Sequence, residues 1–144
     1  MKKLICAALM LALVLCFAAA EELDFSAVSG LDEMFEKLDA GETLVRFVYR
    51  DFALEIQNRD FESEDPEELW RIADAIRAVE IDSAHGLFIT DWYPYMEFCL
   101  SDGSVYILRF DHTMLETPDG NYILKNDEAL WQLIGELSQK YNQR

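Results

Sequence analysis

Residues 95–125 read YMEFCLSDGSVYILRFDHTMLETPDGNYILK, and this stretch decides the fold. Its apolar and polar side chains alternate with the two-residue period of β-strands, and the alternation breaks at two Asp-Gly pairs. An Asp-Gly pair between two alternating runs is a strong short-range signal for a β-hairpin. We therefore expect two consecutive hairpins, which together form a four-strand antiparallel meander.

Two registers are open at the first turn, and they differ by one residue. A two-residue turn pairs Leu100 with Val105 and puts Arg109 among apolar side chains. A three-residue turn, with Gly103 left-handed in a bulge, pairs Leu100 with Ser104 and puts Arg109 on the polar face. The other face then holds the larger apolar residues, which are Met96, Phe98, Leu100, Tyr106, Leu108 and Phe110. Since this separation suits a sheet buried on one side, we predict the bulged register.

The second hairpin turns at Pro118-Asp119-Gly120. Its resemblance to the first turn predicts the same three-residue geometry. Glu116 is then expected beside Tyr122, and Leu115 beside Ile123.

One helix is predicted upstream of the meander. Ser29 is its expected N-cap, with Asp32 as the capping-box partner, and Gly41 ends it. Its apolar stripe has helical spacing and consists of Leu31, Met34, Phe35 and Leu38.

Two further helices follow the same logic. Asp65 is the N-cap of the second, Pro66 takes its first position, and the helix is expected to run to about Glu80. Its stripe is Leu69, Ile72, Ala73, Ile76 and Val79, with Trp70 at the edge. Asn126 or Asp127 caps the third, whose stripe is Leu130, Leu133, Ile134, Leu137 and Tyr141.

Additional strands are expected between these elements. Thr43 to Arg50 alternates cleanly, and Phe52 to Arg59 continues it as a hairpin or as one bent strand, of which we prefer the hairpin. Asp82 to Gly86 is expected to be a loop before a short strand from Leu87 to Thr90. Pro94, which removes a ladder donor, places the segment from Asp91 to Tyr95 at an edge, bulge or loop.

These elements predict an α+β fold, an antiparallel sheet with two or three amphipathic helices packed mainly on one face. A helix, four strands and a helix resemble the arrangement in each half of β-lactamase-inhibitor-type proteins and in PepSY-type modules. The resemblance is one of element order, so it implies a fold and no function.

Residues 1–20 have the features of a secretory signal peptide. Lys2 and Lys3 precede an apolar run, and a small-residue cleavage site ends at Ala20. No stretch reaches the ~20 apolar residues of a membrane span. We expect a secreted or extracytoplasmic protein with a flexible acidic lead over 21–28 and a single domain over 29–144.

The charge of the chain limits the classes of molecule that are expected to bind it. Removal of Lys2 and Lys3 with the signal leaves 10 basic against 28 acidic residues, a net charge of −18. Such a surface repels phosphate backbones, so nucleic acid is not an expected partner.

The residues that commonly carry chemistry are sparse and scattered. Cys99 is the one cysteine after the signal, and we expect it to be buried. Cys99, His112 and Asp111 could in principle form a thiol nucleophile set, but Cys99 lies mid-strand, and His112 lies beyond the end of the neighbouring strand. The spacing of acidic, histidine and cysteine residues predicts no metal site, no cofactor and no catalytic residues.

One segment suggests an interaction surface. Trp92, Tyr93 and Tyr95 lie together at an expected sheet edge, and aromatic residues often anchor interfaces. The alternative is that Trp92 covers the core at a bend. The outer sheet face at Val105 and Ile107 is a second candidate, either exposed or covered by a helix. We therefore predict a non-enzymatic exported domain that binds a protein, peptide or envelope component; the alternatives are a secreted enzyme inhibitor and a small hydrolase that uses acidic residues.

Overall fold

The computed structural model describes residues 23–51, 59–86, 94–111 and 113–143. Within these ranges the chain forms four helices and seven strands, which in chain order are α1 (Phe25–Ser29), α2 (Asp32–Asp39), β1 (Leu44–Arg50), β2 (Phe61–Ser63), α3 (Pro66–Arg77), β3 (Glu80–His85), β4 (Tyr95–Leu100), β5 (Val105–Asp111), β6 (Met114–Thr117), β7 (Gly120–Lys125) and α4 (Glu128–Asn142). The signal peptide predicted over 1–20 lies outside the described residues. Among the described helices, none is long and apolar enough to cross a membrane.

All seven strands join one antiparallel sheet in the order β2-β1-β4-β5-β6-β7-β3. Apolar residues from the helices and from one face of the sheet form a single core. On the opposite face, Val105 and Ile107 are exposed by 52% and 54% of their surface. This arrangement confirms the predicted α+β class, with the helices on one face of an antiparallel sheet.

The first hairpin has the predicted bulged register. The Leu100 amide donates to the Ser104 carbonyl at 2.9 Å, and Phe98 pairs with Tyr106. Gly103 has a φ of 86°, a left-handed conformation that glycine adopts without strain. The predicted apolar face is buried, and only Tyr106 remains partly exposed.

Asp102 anchors the tip of this hairpin. Its carboxylate accepts hydrogen bonds from the Ser104 amide and hydroxyl and pairs with Lys37 of α2 at 2.9 Å. The Ser104 and Lys37 contacts hold the pKa of Asp102 well below its usual range.

The register predicted for the second hairpin is wrong by one residue. Leu115 pairs with Tyr122, and Thr117 pairs with Gly120 across a two-residue turn. The Thr117 hydroxyl closes this turn by donating to the Gly120 carbonyl at 3.0 Å. The shift places Tyr122 and Leu124 on the core face beside Leu115, where Leu124 is 5% exposed.

The start of α2 and the lead before it also differ from the prediction. Residues 25–28, expected to be flexible, belong to α1, whose N-cap Asp24 accepts from the Ser26 amide. Phe25 is 5% exposed, so burial of this ring accounts for the order. Ser29 is the last residue of α1, and α2 begins after Leu31 without a side-chain cap.

The C-terminus of α2 is as predicted. Gly41 is left-handed with a φ of 109°, and its amide donates to the Leu38 carbonyl. The Glu42 amide donates to the Lys37 carbonyl at 3.0 Å, which completes a Schellman motif.

The Asp65 cap of α3 is confirmed, since its carboxylate accepts from the amides of Glu67 and Glu68. The helix ends at Arg77, earlier than expected, with Ala78 as its C-cap, and β3 begins at Glu80. Residues 82–85, predicted as part of a loop, belong to this strand, which pairs with β7 around a bulge after Ile81. The second extended run, most of which falls at 52–58, and the strand expected over 87–90 lie outside the described residues.

Candidate functional site

A groove of about 430 Å³ lies between one side of α3, the end of α2 and the start of β1. We call it the Trp70 groove, and its uncharged lining includes Leu38, Thr43, Leu44, Leu69, Trp70 and Ala73. Leu69 is buried, while Leu38 and Leu44 are partly buried against the core. The floor of the groove is therefore continuous with the hydrophobic core.

Trp70 is the most exposed large apolar side chain in the described part of the chain, at 67%. Helical spacing explains its direction: Leu69, Ile72 and Ile76 point into the core, so Trp70 lies beside that stripe. A tryptophan left in solvent forgoes the hydrophobic stabilisation of a large aromatic surface. Core packing gives no reason for a tryptophan at this position.

Charged residues line the rim of the groove. Trp70, Asp74 and Arg77 follow one another at helical spacing along α3, and Glu42 lies on the opposite wall. Arg77 is neutralised by Asp39 at 2.8 Å, and its guanidinium lies over the Phe35 ring. Asp74 makes no hydrogen bond or ion pair with the described residues, so the groove presents net negative charge.

One wall of the groove is an open sheet edge. β2 pairs only with Phe47, Val48 and Tyr49 of β1. Residues 44–46 consequently have no strand on that side within the described ranges, although β4 pairs with β1 on the other side.

Of the predicted interaction patch, Tyr95 is the member that the structure describes. Trp92 and Tyr93 are outside the described residues, and Tyr95 lies half-buried in β4, where it pairs with Arg109. Its neighbour Met96 is buried under the helices, so Tyr95 faces the opposite side of the sheet from the Trp70 groove. The patch therefore stays a prediction.

The structure separates two members of the thiol set. Cys99 pairs with Val105, and Asp111 lies further along β5, roughly 20 Å away at the rise of a strand; His112 is outside the described residues. Cys99 is half-buried rather than buried. Burial and the adjacent Glu97 carboxylate raise its pKa, which disfavours the reactive thiolate.

Glu68 forms a hydrogen-bonded cluster at the N-terminal end of α3. Its carboxylate, 6% exposed, accepts hydrogen bonds from Ser63 and Lys140 and from the Tyr141 hydroxyl at 2.9 Å. Burial alone would raise the pKa of Glu68, but these three donors together lower it. We interpret this cluster as a structural link between β2, α3 and α4.

Groups of three metal-binding side chains are absent from the described ranges. Comparisons with protein-family models, with curated proteins and with solved structures gave no match.

Sequence reasoning missed the groove because residues from three separate elements form it. The available signal was Trp70, which lies just off the apolar stripe of an otherwise acidic helix segment. A large aromatic residue beside a buried stripe indicates a second contact surface.

Proposed function

We propose that this chain is an exported, non-enzymatic domain that binds a protein or peptide partner in the Trp70 groove. The observation that carries the proposal is the 67% exposure of Trp70 beside an apolar floor. Tryptophan is enriched among residues that dominate binding energy, and a groove provides the desolvated contact that such residues need. The export half of the proposal rests on residues 1–20 alone.

Selection of peptides from a random display library tests this function. We expect the mature domain to enrich peptides that bind with micromolar or better affinity and lose about tenfold or more in affinity on Trp70→Ala, a typical loss for an interface anchor. Because Trp70 is exposed, the variant is expected to keep its fold, which circular dichroism checks.

Ile107→Ala is the matched control, since Ile107 is 54% exposed on the opposite sheet face. This variant should bind the selected peptides as the wild type does. Peptides that bind equally well to Trp70→Ala would contradict the proposal, and sensitivity to Trp92→Ala or Tyr93→Ala instead would favour the predicted aromatic patch.

Glu42 and Asp74 line the same groove, and this observation keeps a small hydrolase as a second candidate. Catalysis by a carboxylate pair requires turnover of the bound molecule. Incubating selected peptides with the domain and following them by mass spectrometry separates the two functions: intact peptide supports binding, whereas products lost in Glu42→Gln or Asp74→Asn support hydrolysis. A secreted inhibitor would instead be recognised by inhibition of an enzyme exported with it.

A further inference from the structure

We infer that the Trp70 groove takes an extended peptide, which adds to the open edge of β1 and presents one bulky apolar side chain flanked by Lys or Arg. This inference rests on the proposed binding function and specifies the conformation and chemistry of the ligand.

Backbone geometry supports strand addition. The Ser101 amide donates to the Thr43 carbonyl at 2.9 Å, and the Thr43 amide donates to the Ser101 hydroxyl at 2.9 Å. Both backbone groups of Thr43 therefore point toward Ser101, the residue that follows β4. Because these directions alternate along a strand, the amide and carbonyl of Leu44 point to the opposite, open side.

The position of the open edge supports the same mode. Thr43 and Leu44 belong to the groove lining, together with Pro66 and Trp70 of α3. An extended peptide along this edge has its backbone against Leu44 and alternate side chains directed toward or away from Trp70. Peptide recognition by strand addition combines main-chain hydrogen bonds with such side-chain pockets.

A β-bulge limits the length of the edge. The pairing of β1 with β4 shifts between Leu44 and Arg46, and Val45 at the bulge is 44% exposed. Bulges bend a strand and interrupt its hydrogen-bonding pattern. The added strand therefore gains few main-chain hydrogen bonds, and contact with Trp70 must supply a large part of the affinity.

Charge selects the flanking residues of the ligand. Glu42 and Asp74 lie at the groove, while the cation Arg77 is already paired with Asp39. The whole chain carries a net charge of −16. Such a field attracts cationic ligands and repels acidic ones, which include a second copy of this chain.

The test uses a fluorescein-labelled peptide selected on the wild-type domain and counter-selected on Trp70→Ala. Single backbone N-methyl groups are placed at each position in turn, and affinity is measured by fluorescence anisotropy. N-methylation removes one donor from the ligand and leaves the protein unchanged. We expect losses of about tenfold at one or two positions facing Leu44 and little effect at their neighbours.

A second series replaces each Lys or Arg of the peptide with Gln. We expect weaker binding by several-fold and a shallower salt dependence, and Asp74→Asn should reduce the effect of the replacement. Glu136→Gln is the matched control, because Glu136 is an exposed carboxylate outside the groove. This variant should leave the effect of the peptide replacement unchanged.

The outcomes separate the inference from the function it rests on. Trp70-dependent peptides that tolerate N-methylation at every position, or that need no cationic residue, overturn the extended basic ligand and leave the binding function intact. Selection that yields no Trp70-dependent peptide overturns both. Concentration-dependent dimerisation lost on Trp70→Ala, without peptide binding, assigns the groove to a second copy and also overturns the inference.

Discussion

Glu68 shows at the scale of a single residue how this fold accommodates a buried charge. An unpaired buried carboxylate is strongly destabilising, but hydrogen bonds from Ser63, Lys140 and Tyr141 replace its lost water. Two of these donors come from the last turn of α4. The cluster therefore couples the ends of two helices that are distant in sequence.

We predict that Glu68→Ala lowers the free energy of unfolding by about 2–3 kcal/mol, because it leaves buried donors unsatisfied. Urea denaturation at neutral pH measures the change. Glu136→Gln is the matched control: its pair with Arg71 is about half exposed and should contribute less than about 1 kcal/mol. Equal effects of the two changes would contradict the structural role of the cluster.

The same residue gives the domain a defined acid sensitivity. The pKa of Glu68 is lower in the fold than its ordinary value of 4.5, so the charged form stabilises the folded state. This stabilisation is complete above the unfolded-state pKa and is lost as the pH falls through the folded-state pKa. We expect unfolding free energy to decrease on acidification below about pH 4.5, and to decrease less steeply in Glu68→Gln.

At the scale of elements, two glycines have opposite structural roles. Gly103 has a φ of 86° in the bulged turn, whereas Gly135 lies within α4 without positive φ, and a Cβ there meets nothing within 4 Å. Gly103→Ala should destabilise the domain by about 1 kcal/mol through backbone strain. Gly135→Ala should stabilise it by roughly 0.5–1 kcal/mol, since alanine favours the helix.

Urea denaturation of both variants tests the hairpin register directly. A rise in the denaturation midpoint of Gly103→Ala, like the rise expected for Gly135→Ala, would show that Gly103 does not need its left-handed conformation. The bulged turn would then be wrong.

The sequence predicted this first hairpin because local and long-range preferences agree. The three-residue turn separates Arg109 from the large apolar residues, and the core covers the resulting apolar face. At Thr117 to Gly120 the local pattern was similar, but burial of Leu124 beside β3 selected the other register. The strand β3 itself, EIDSAH, has little alternation, so only its pairing with β7 defines it.

The Trp70 groove was harder to predict from the sequence, because it too depends on contacts between residues that are distant in the chain. Its walls depend on how the end of α2, the start of β1 and α3 meet, and no local pattern specifies that contact. Asp65 capped α3 as expected, so the helical register and the position of Trp70 beside the stripe could be predicted. The concave surface in front of Trp70 could not be predicted from the sequence.

At the scale of the whole molecule, repulsion between like charges destabilises the folded state. The chain has 28 acidic against 12 basic residues, and most of its ion pairs are at least partly exposed, as Arg71 and Glu136 illustrate. Raising NaCl from about 0.1 M to about 1 M shortens the Debye length from about 10 Å to about 3 Å. We therefore expect Tm to rise by a few degrees, because screening weakens net repulsion more than it weakens exposed pairs. A fall in Tm in a calorimetric salt series would instead show that the ion pairs dominate.

The strand order has a further consequence for how much the chain can be shortened. β2 and β3 occupy opposite edges of the sheet, yet α3 alone separates them in sequence. The edges are about 29 Å apart at the usual strand spacing, and the 12 residues of α3 span only about 18 Å. The two residues at each end of α3, of which Ala78 has helical backbone angles, add at most roughly 14 Å, so the connection has almost no slack. Deleting even two residues there would pull an edge strand off the sheet, whereas an insertion would leave both edges paired.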